Sequence, residues 1–150
     1  MEEKARILIV DDEENIRKTM KAILEDENYI VDVAINGKQA IEMTNEKIYN
    51  LALLDIRLPD IEGVELLKLI KEYVPRTRKI MVTGYPTIQN AMSAINKNAD
   101  AYLLKPVDVE KLLDVVKEQL RSQEEERKFS EEKVAEFIET RIRDVAINRV

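Results

Sequence analysis

The sequence predicts an α/β domain: a doubly wound, five-stranded parallel sheet with helices packed on both faces. Three observations carry that reading. Short apolar runs alternate with helical patterns from the N-terminus onward, the first and third runs are apolar along their length rather than on every second residue, and acids, a Thr and a Lys stand directly after the runs.

Arg6-Ile-Leu-Ile-Val10 is the first strand, apolar along its length and ending in acids. Residues about 13 to 26 place Ile16, Met20, Ile23 and Leu24 at helical spacing. Tyr29 to Ile35 alternates enough for a second strand, Asn36-Gly37 supplies a turn, and residues about 38 to 47 form a helix. Leu51-Ala-Leu-Leu54 is the third strand, central by its composition. Leu58-Pro59-Asp60 breaks the chain, and a helix carrying Val64, Leu66, Leu67 and Ile70 must stop before Pro75. Lys79-Ile-Met-Val82 is the fourth strand, and Thr87 can cap a fourth helix with Ile88, Ala91, Met92 and Ile95 as its stripe. Ala101-Tyr-Leu-Leu104 is the fifth strand, after which Asp108 caps a last helix bearing Val109, Leu112, Leu113, Val116 and Leu120.

Composition narrows the chemistry. With 45% hydrophobic and 36% charged residues the chain suits a globular, cytoplasmic protein rather than a disordered one. There is no Cys and no His, so any metal must be held by oxygens and any nucleophile is a hydroxyl, an amine or a carboxylate. A net charge of −6 without a basic cluster argues against nucleic-acid binding. Glu2, Glu3 and the acids from Asp11 to Glu14 do not suit a signal peptide, and no apolar run approaches the roughly 20 residues that span a bilayer.

A doubly wound sheet places its site at the carboxyl ends of its strands. Asp11 and Asp12 follow the first strand, Asp55 ends the third, Thr83 follows the fourth and Lys105 the fifth. Singly, each has an ordinary explanation: a helix cap, a turn former, loop chemistry, a solvated Lys. Together on one rim, three acids would repel one another without a cation or phosphate to hold. Carboxylates alone make a hard-oxygen site suited to Mg²⁺, and a carboxylate can attack phosphorus to give an aspartyl phosphate. Asp55, on the central strand with partners on both sides, is the best nucleophile. A metal, the Lys105 amine, the Thr83 hydroxyl and backbone amides can neutralise the phosphoryl oxygens.

These segments, Val10-Asp-Asp-Glu13, Leu54-Asp-Ile-Arg-Leu-Pro-Asp-Ile-Glu-Gly63, Met81-Val-Thr-Gly-Tyr-Pro86 and Ala101-Tyr-Leu-Leu-Lys-Pro106, together resemble the response-regulator receiver family over residues 4 to 121. The resemblance implies a flavodoxin-like strand order 2-1-3-4-5, with Asp55 as phosphoacceptor and a sensor histidine kinase as partner. It implies that Asp12 binds Mg²⁺ (or Mn²⁺) directly, that Asp11 assists through water, and that Asp55 and the carbonyl of Arg57 complete the protein ligands. Lys105 would contact the phosphoryl oxygens and Thr83 would hydrogen-bond them. Thr83 and Tyr102 would form the switch, Tyr85 would influence hydrolysis, and the Lys105–Pro106 bond would be cis. Asn98 stands where many relatives have Gly, and tolerates the left-handed conformation a helix end needs.

Three rivals fit less well. A haloacid-dehalogenase phosphatase needs a second Asp where Arg57 stands. A flavodoxin-type module needs a first loop that cradles phosphate, which Asp11-Asp-Glu-Glu14 would repel. A degenerate receiver, serving as a phosphorylation-independent binding platform, would lack part of the set that is complete here.

The receiver is expected to span residues 1–121, with 122–129 a polar linker or helix extension. Residues 130–150 form an amphipathic helix in which Val134, Ile138, Ile142 and Val145 recur at intervals of four, four and three. This segment is either a dimerisation helix, one that folds back on the receiver, or the start of a truncated output region. A homodimer or a downstream effector protein is the expected partner of the switched face. The chain is expected to catalyse only its own phosphorylation and dephosphorylation, turning over no metabolite.

Overall fold

The computed structural model describes residues 3–73, 75–84 and 99–148. Five strands, β1 (Arg6–Val10), β2 (Ile30–Ala34), β3 (Leu51–Asp55), β4 (Arg78–Thr83) and β5 (Ala101–Leu104), form one sheet. All are parallel to their neighbours, in the order β2-β1-β3-β4-β5. The helices among the described residues are α1 (Glu14–Asp26), α2 (Gly37–Glu46), α3 (Gly63–Leu69) and α4 (Val109–Asn148). The helix expected from Thr87, with Ile88, Ala91, Met92 and Ile95, lies outside the described residues, as do Tyr85 and Asn98.

The uninterrupted apolar character of the central strands β1 and β3 follows from burial on both faces, while the edge strands β2 and β5 are only part-buried. Ile7, Ile9, Leu51, Leu53, Ile80 and Val82 point to one layer, where Met20 and Leu24 of α1 and Leu112 and Val116 of α4 cover them. Leu8, Val10, Ala52, Leu54 and Met81 point to the other, under Ala40 of α2 and Leu66 and Leu67 of α3. β1 and β3 lie side by side at the centre, while the chain leaves β1 for one edge and β3 for the other. That divergence opens a crevice at their carboxyl ends.

Two glycines let the layers close at this end. A Cβ on Gly63 would stand 2.3 Å from the backbone oxygen of Asp55, so only Gly lets α3 begin this close to the end of β3. A Cβ on Gly37 would stand 2.1 Å from the Ile61 side chain. There the carboxylate of Asp60 accepts from the N–H groups of Gly37 and Lys38 at 2.9 Å each, tying the β3–α3 loop to the first turn of α2.

At the other end of the sheet, of the linker and the helix extension expected for residues 122–129, the structure has the helix: α4 runs unbroken from Val109 to Asn148. The reason is Gln123, 4% exposed and three residues beyond Leu120 on the same face. Its Nε2 donates to the carbonyls of Asn50 and Arg76 at 2.8 Å each, and its Oε1 accepts from Asn50 Nδ2 at 3.2 Å. One turn later Glu126 pairs with the buried Arg78, which also faces Asp100 at 3.6 Å. A polar residue thus continues the buried stripe by satisfying carbonyls that a hydrocarbon would leave bare.

Candidate functional site

β1 and β3 end within reach of each other, and each delivers acid to the crevice. The N–H of Asp11 extends the β1–β2 ladder by donating to the Ala34 carbonyl at 3.2 Å, so its carboxylate is held at the rim. Oδ1 of Asp11 accepts from the Glu13 N–H at 2.9 Å just before α1 begins, a tie of the kind a helix cap makes. Arg17 of α1 donates to the Asp11 carbonyl at 2.7 Å. Asp55 closes β3 opposite Val82, and its Oδ1 accepts from the Arg57 N–H at 3.3 Å. Asp11, Asp12 and Asp55 each present a carboxylate oxygen, all within 4.8 Å of one another. Asp11 and Asp55 are buried; Asp12 is exposed.

Lys105 reaches this cluster from the end of β5. Its Nζ lies 3.0 Å from Asp11, 3.4 Å from Asp55 and 3.9 Å from Glu13. Its own N–H donates to the Thr83 carbonyl at 2.7 Å, which fixes β5 to the end of β4 and aims the side chain across the rim. The Lys105–Pro106 peptide is cis. Gly84 packs beside Lys105, where a Cβ would meet the Lys105 Cβ at 3.6 Å, an ordinary contact.

The electrostatics follow from crowding. Burial pushes the Asp55 carboxyl up, and the charge of Asp11 pushes it further; Lys105 and the Arg57 N–H oppose without cancelling. Burial works against the Lys105 ammonium, but Asp11, Asp55 and Glu13 outweigh it and hold the ammonium above its ordinary pKa. One ammonium therefore faces three carboxylates, with Asp12 beside them. Oxygen donors alone, an excess of negative charge and one exposed carboxylate open to water fit a hard divalent cation that keeps part of its hydration shell.

Of the residues expected at the site, Asp11, Asp12, Asp55 and Lys105 converge. Thr83 is fully buried as the last residue of β4 rather than in the loop after it. Arg57 stands two residues beyond Asp55 and bridges to Glu62. Tyr102 sits within β5, in register with Met81 and 39% exposed. Glu13 and Arg17 were not foreseen. Glu13 lay in the acidic run and reads as helix-start chemistry; no local signal marks Arg17, whose role depends on the α1 turn carrying it back over Asp11.

The family model of the response regulator receiver domain matches residues 7–117. The chain is 38% identical over 110 residues to the transcriptional regulatory protein ZraR of Klebsiella oxytoca, covering 73% of this chain and 25% of that protein. It is 37% identical over 108 residues to the response regulator ArlR of Staphylococcus saprophyticus, covering 72% of this chain and 49% of that one. The chain thus spans between a quarter and a half of the length of these relatives. Among solved structures, a CheY-like response regulator receiver domain protein from Methanospirillum hungatei is 44% identical with a TM-score of 0.76, covering 83% of this chain and 99% of that one. NtrX from Brucella abortus, solved with ATP, is 32% identical with a TM-score of 0.77, covering 85% of this chain and 29% of that one. With the strand order, the acidic rim and the Lys105 bridge already in place, these matches are decisive: the chain belongs to the response regulator receiver family of two-component signalling proteins.

Proposed function

We propose that this domain takes a phosphoryl group onto Asp55 from the phosphohistidine of a cytoplasmic sensor histidine kinase, with Mg²⁺ (or Mn²⁺) bound at the rim. The observation that carries the reading is the placement of Asp55: buried, at the end of the central strand, with Lys105 Nζ at 3.4 Å and two further aspartates beside it. A carboxylate oxygen of Asp55 forms the new O–P bond, the P–N bond of the donor breaks, and the imidazole leaves. Asp12, Asp11, Asp55 and the carbonyl of Arg57 would hold the metal. When bound it supplies positive charge to the phosphoryl oxygens. The Lys105 ammonium would add positive charge of its own, drawn from its Asp11 contact towards the new group. The domain would promote only its own phosphorylation and dephosphorylation.

Thr83 and Tyr102 would carry the signal. The Thr83 hydroxyl turns to hydrogen-bond the phosphoryl group, and the half-exposed Tyr102 ring moves into the space released. The populations of a face that includes β5 and the start of α4 then shift. That face would recruit a downstream protein or another receiver.

Intact-mass spectrometry after incubation with acetyl phosphate and Mg²⁺ tests this. One phosphate adduct, dependent on metal and lost in Asp55→Asn, is expected. An unlabelled wild type, under conditions that label another receiver, would show a phosphorylation-independent binding platform. Labelling retained in the variant would move the acceptor to another residue.

A further inference from the structure

The buried face of α4 does not end where the receiver ends. Leu112, Val116, Leu120 and Gln123 follow one another at intervals of four, four and three, and pack on the sheet or its lower edge. The same spacing, repeated every eleven residues, continues the face through Arg127, Glu131 and Val134 to Ile138, Ile142 and Val145. An eleven-residue period departs from three full turns by only about 20°, so the row stays on one side of the helix with a slow drift. Beyond the receiver the row is bare: Val134 is 58% exposed, Ile138 51%, Ile142 64% and Val145 53%, with Phe137 beside them at 61%. From Val134 to Val145 these side chains make one apolar patch, more than the scattered exposed apolar residues of an ordinary surface.

Charge on this helix identifies what covers the row. From Glu124 to Glu139 it is predominantly acidic; after Thr140 it carries Arg141 and Arg143 against Asp144. The row itself is interrupted by Arg127 and Glu131, which pair with each other at 2.5 Å, and at its margin by Arg141; Glu131 and Arg141 lie symmetrically about Glu136. An anionic membrane would be repelled by the acidic stretch. A parallel, in-register pair would set Glu131 against Glu131 and Arg141 against Arg141. An antiparallel pair, two-fold about Glu136, sets each Glu131 beside the partner's Arg141 and lays Val134 on Ile138 in both directions. That register also brings the partner's Ile142 and Val145 to the groove of about 290 Å³ lined by Pro75, Arg127, Ser130, Glu131 and Val134, where the row meets the receiver.

We propose that residues 127–148 bind the same segment of a second copy of this chain as an antiparallel helix pair, each tip seated in the groove beside Pro75 of the other receiver. The pairing is isologous, so it closes as a dimer rather than extending into a filament. It uses neither the acidic rim nor β5 and does not depend on the phosphoryl reading.

The test uses the full chain. Sedimentation equilibrium is expected to give twice the 17.4 kDa chain mass, and Ile138→Glu and Val134→Glu are each expected to give monomers that retain the receiver's circular dichroism. Because the sequence has no Cys, orientation can be read by disulfide formation in a glutathione buffer. A mixture of Glu131→Cys and Arg141→Cys chains is expected to give the mixed disulfide, with each variant alone cross-linking poorly. Cross-linking of each variant to itself in preference to the other would show a parallel pair and overturn the proposal. So would a wild type that stays monomeric at every soluble concentration, or a dimer that survives both Glu substitutions.

Discussion

Asp100 shows how much a single side chain can organise. It precedes β5, and its carboxylate accepts from Arg76 at 2.6 and 2.7 Å and from the Lys79 N–H at 2.8 Å. Burial alone would raise its pKa, but the Arg76 contact, the Lys79 N–H and the nearby Arg78 outweigh burial and hold it below the ordinary carboxylate range. A depressed folded-state pKa means that the charged form stabilises the fold above the unfolded pKa of about 3.9, and that this contribution is lost as pH falls through the lower, folded value. Asp100→Asn should therefore cost about 1.5–3 kcal/mol at neutral pH, the range for hydrogen bonds to charged groups. In urea titrations at a series of pH values the gap between variant and wild type should narrow in acid. At this scale the sequence was legible where residue type and strand position coincide, as at Asp55 and Lys105. It was opaque where a role depends on what another element brings near, as for Asp100, Asp60 and Arg17.

Elements were legible in proportion to their hydrophobic pattern. Each described strand falls within a residue or two of its expected span: β1 and β3 because burial on both faces leaves an unmistakable run, the edge strands β2 and β5 because short apolar stretches are set off by turn and loop residues. α4 was legible at both ends but left open between them, because its pattern changes chemistry midway: Leu120 gives way to Gln123, which reads as solvated surface but is buried against Asn50 and Arg76. Nothing local distinguishes a Gln that caps two distant carbonyls from one that faces water. Gln123→Leu keeps the volume but leaves both carbonyls without their donor, a loss of about 1–3 kcal/mol for a buried group left bare. Hydrogen exchange should locate that loss: amides of residues 119–127 should exchange faster in the variant, while those of β1 and β3 keep the protection of the wild type.

For the whole molecule, the acidic rim is a debt of stability held against function. Asp55 has a raised pKa, so its charged form opposes folding at every pH above its unfolded value, and the opposition grows until the folded group has ionised. Asp55→Asn should raise the melting temperature in EDTA by roughly 2–4 °C, the shift that about 1 kcal/mol produces in a domain of this size. Excess Mg²⁺ should stabilise the wild type, as any ligand of the native state does, and should stabilise the variant less. Differential scanning calorimetry with and without the ion reads both. A variant that melts lower than wild type in EDTA would show that Lys105 already balances the rim.

The length of α4 has a mechanical consequence. From Gln123 to Asn148 the helix extends past the receiver, a reach of about 37 Å at 1.5 Å per residue. Gln123 and the Arg78–Glu126 pair act as the fulcrum of that arm, at the opposite end of the sheet from the acidic rim. A tilt of about 10° at the fulcrum sweeps the tip roughly 6 Å, more than the rise of a full helical turn. A small rotation at the fulcrum therefore becomes, at the far end, a step large enough to move one side chain past the next.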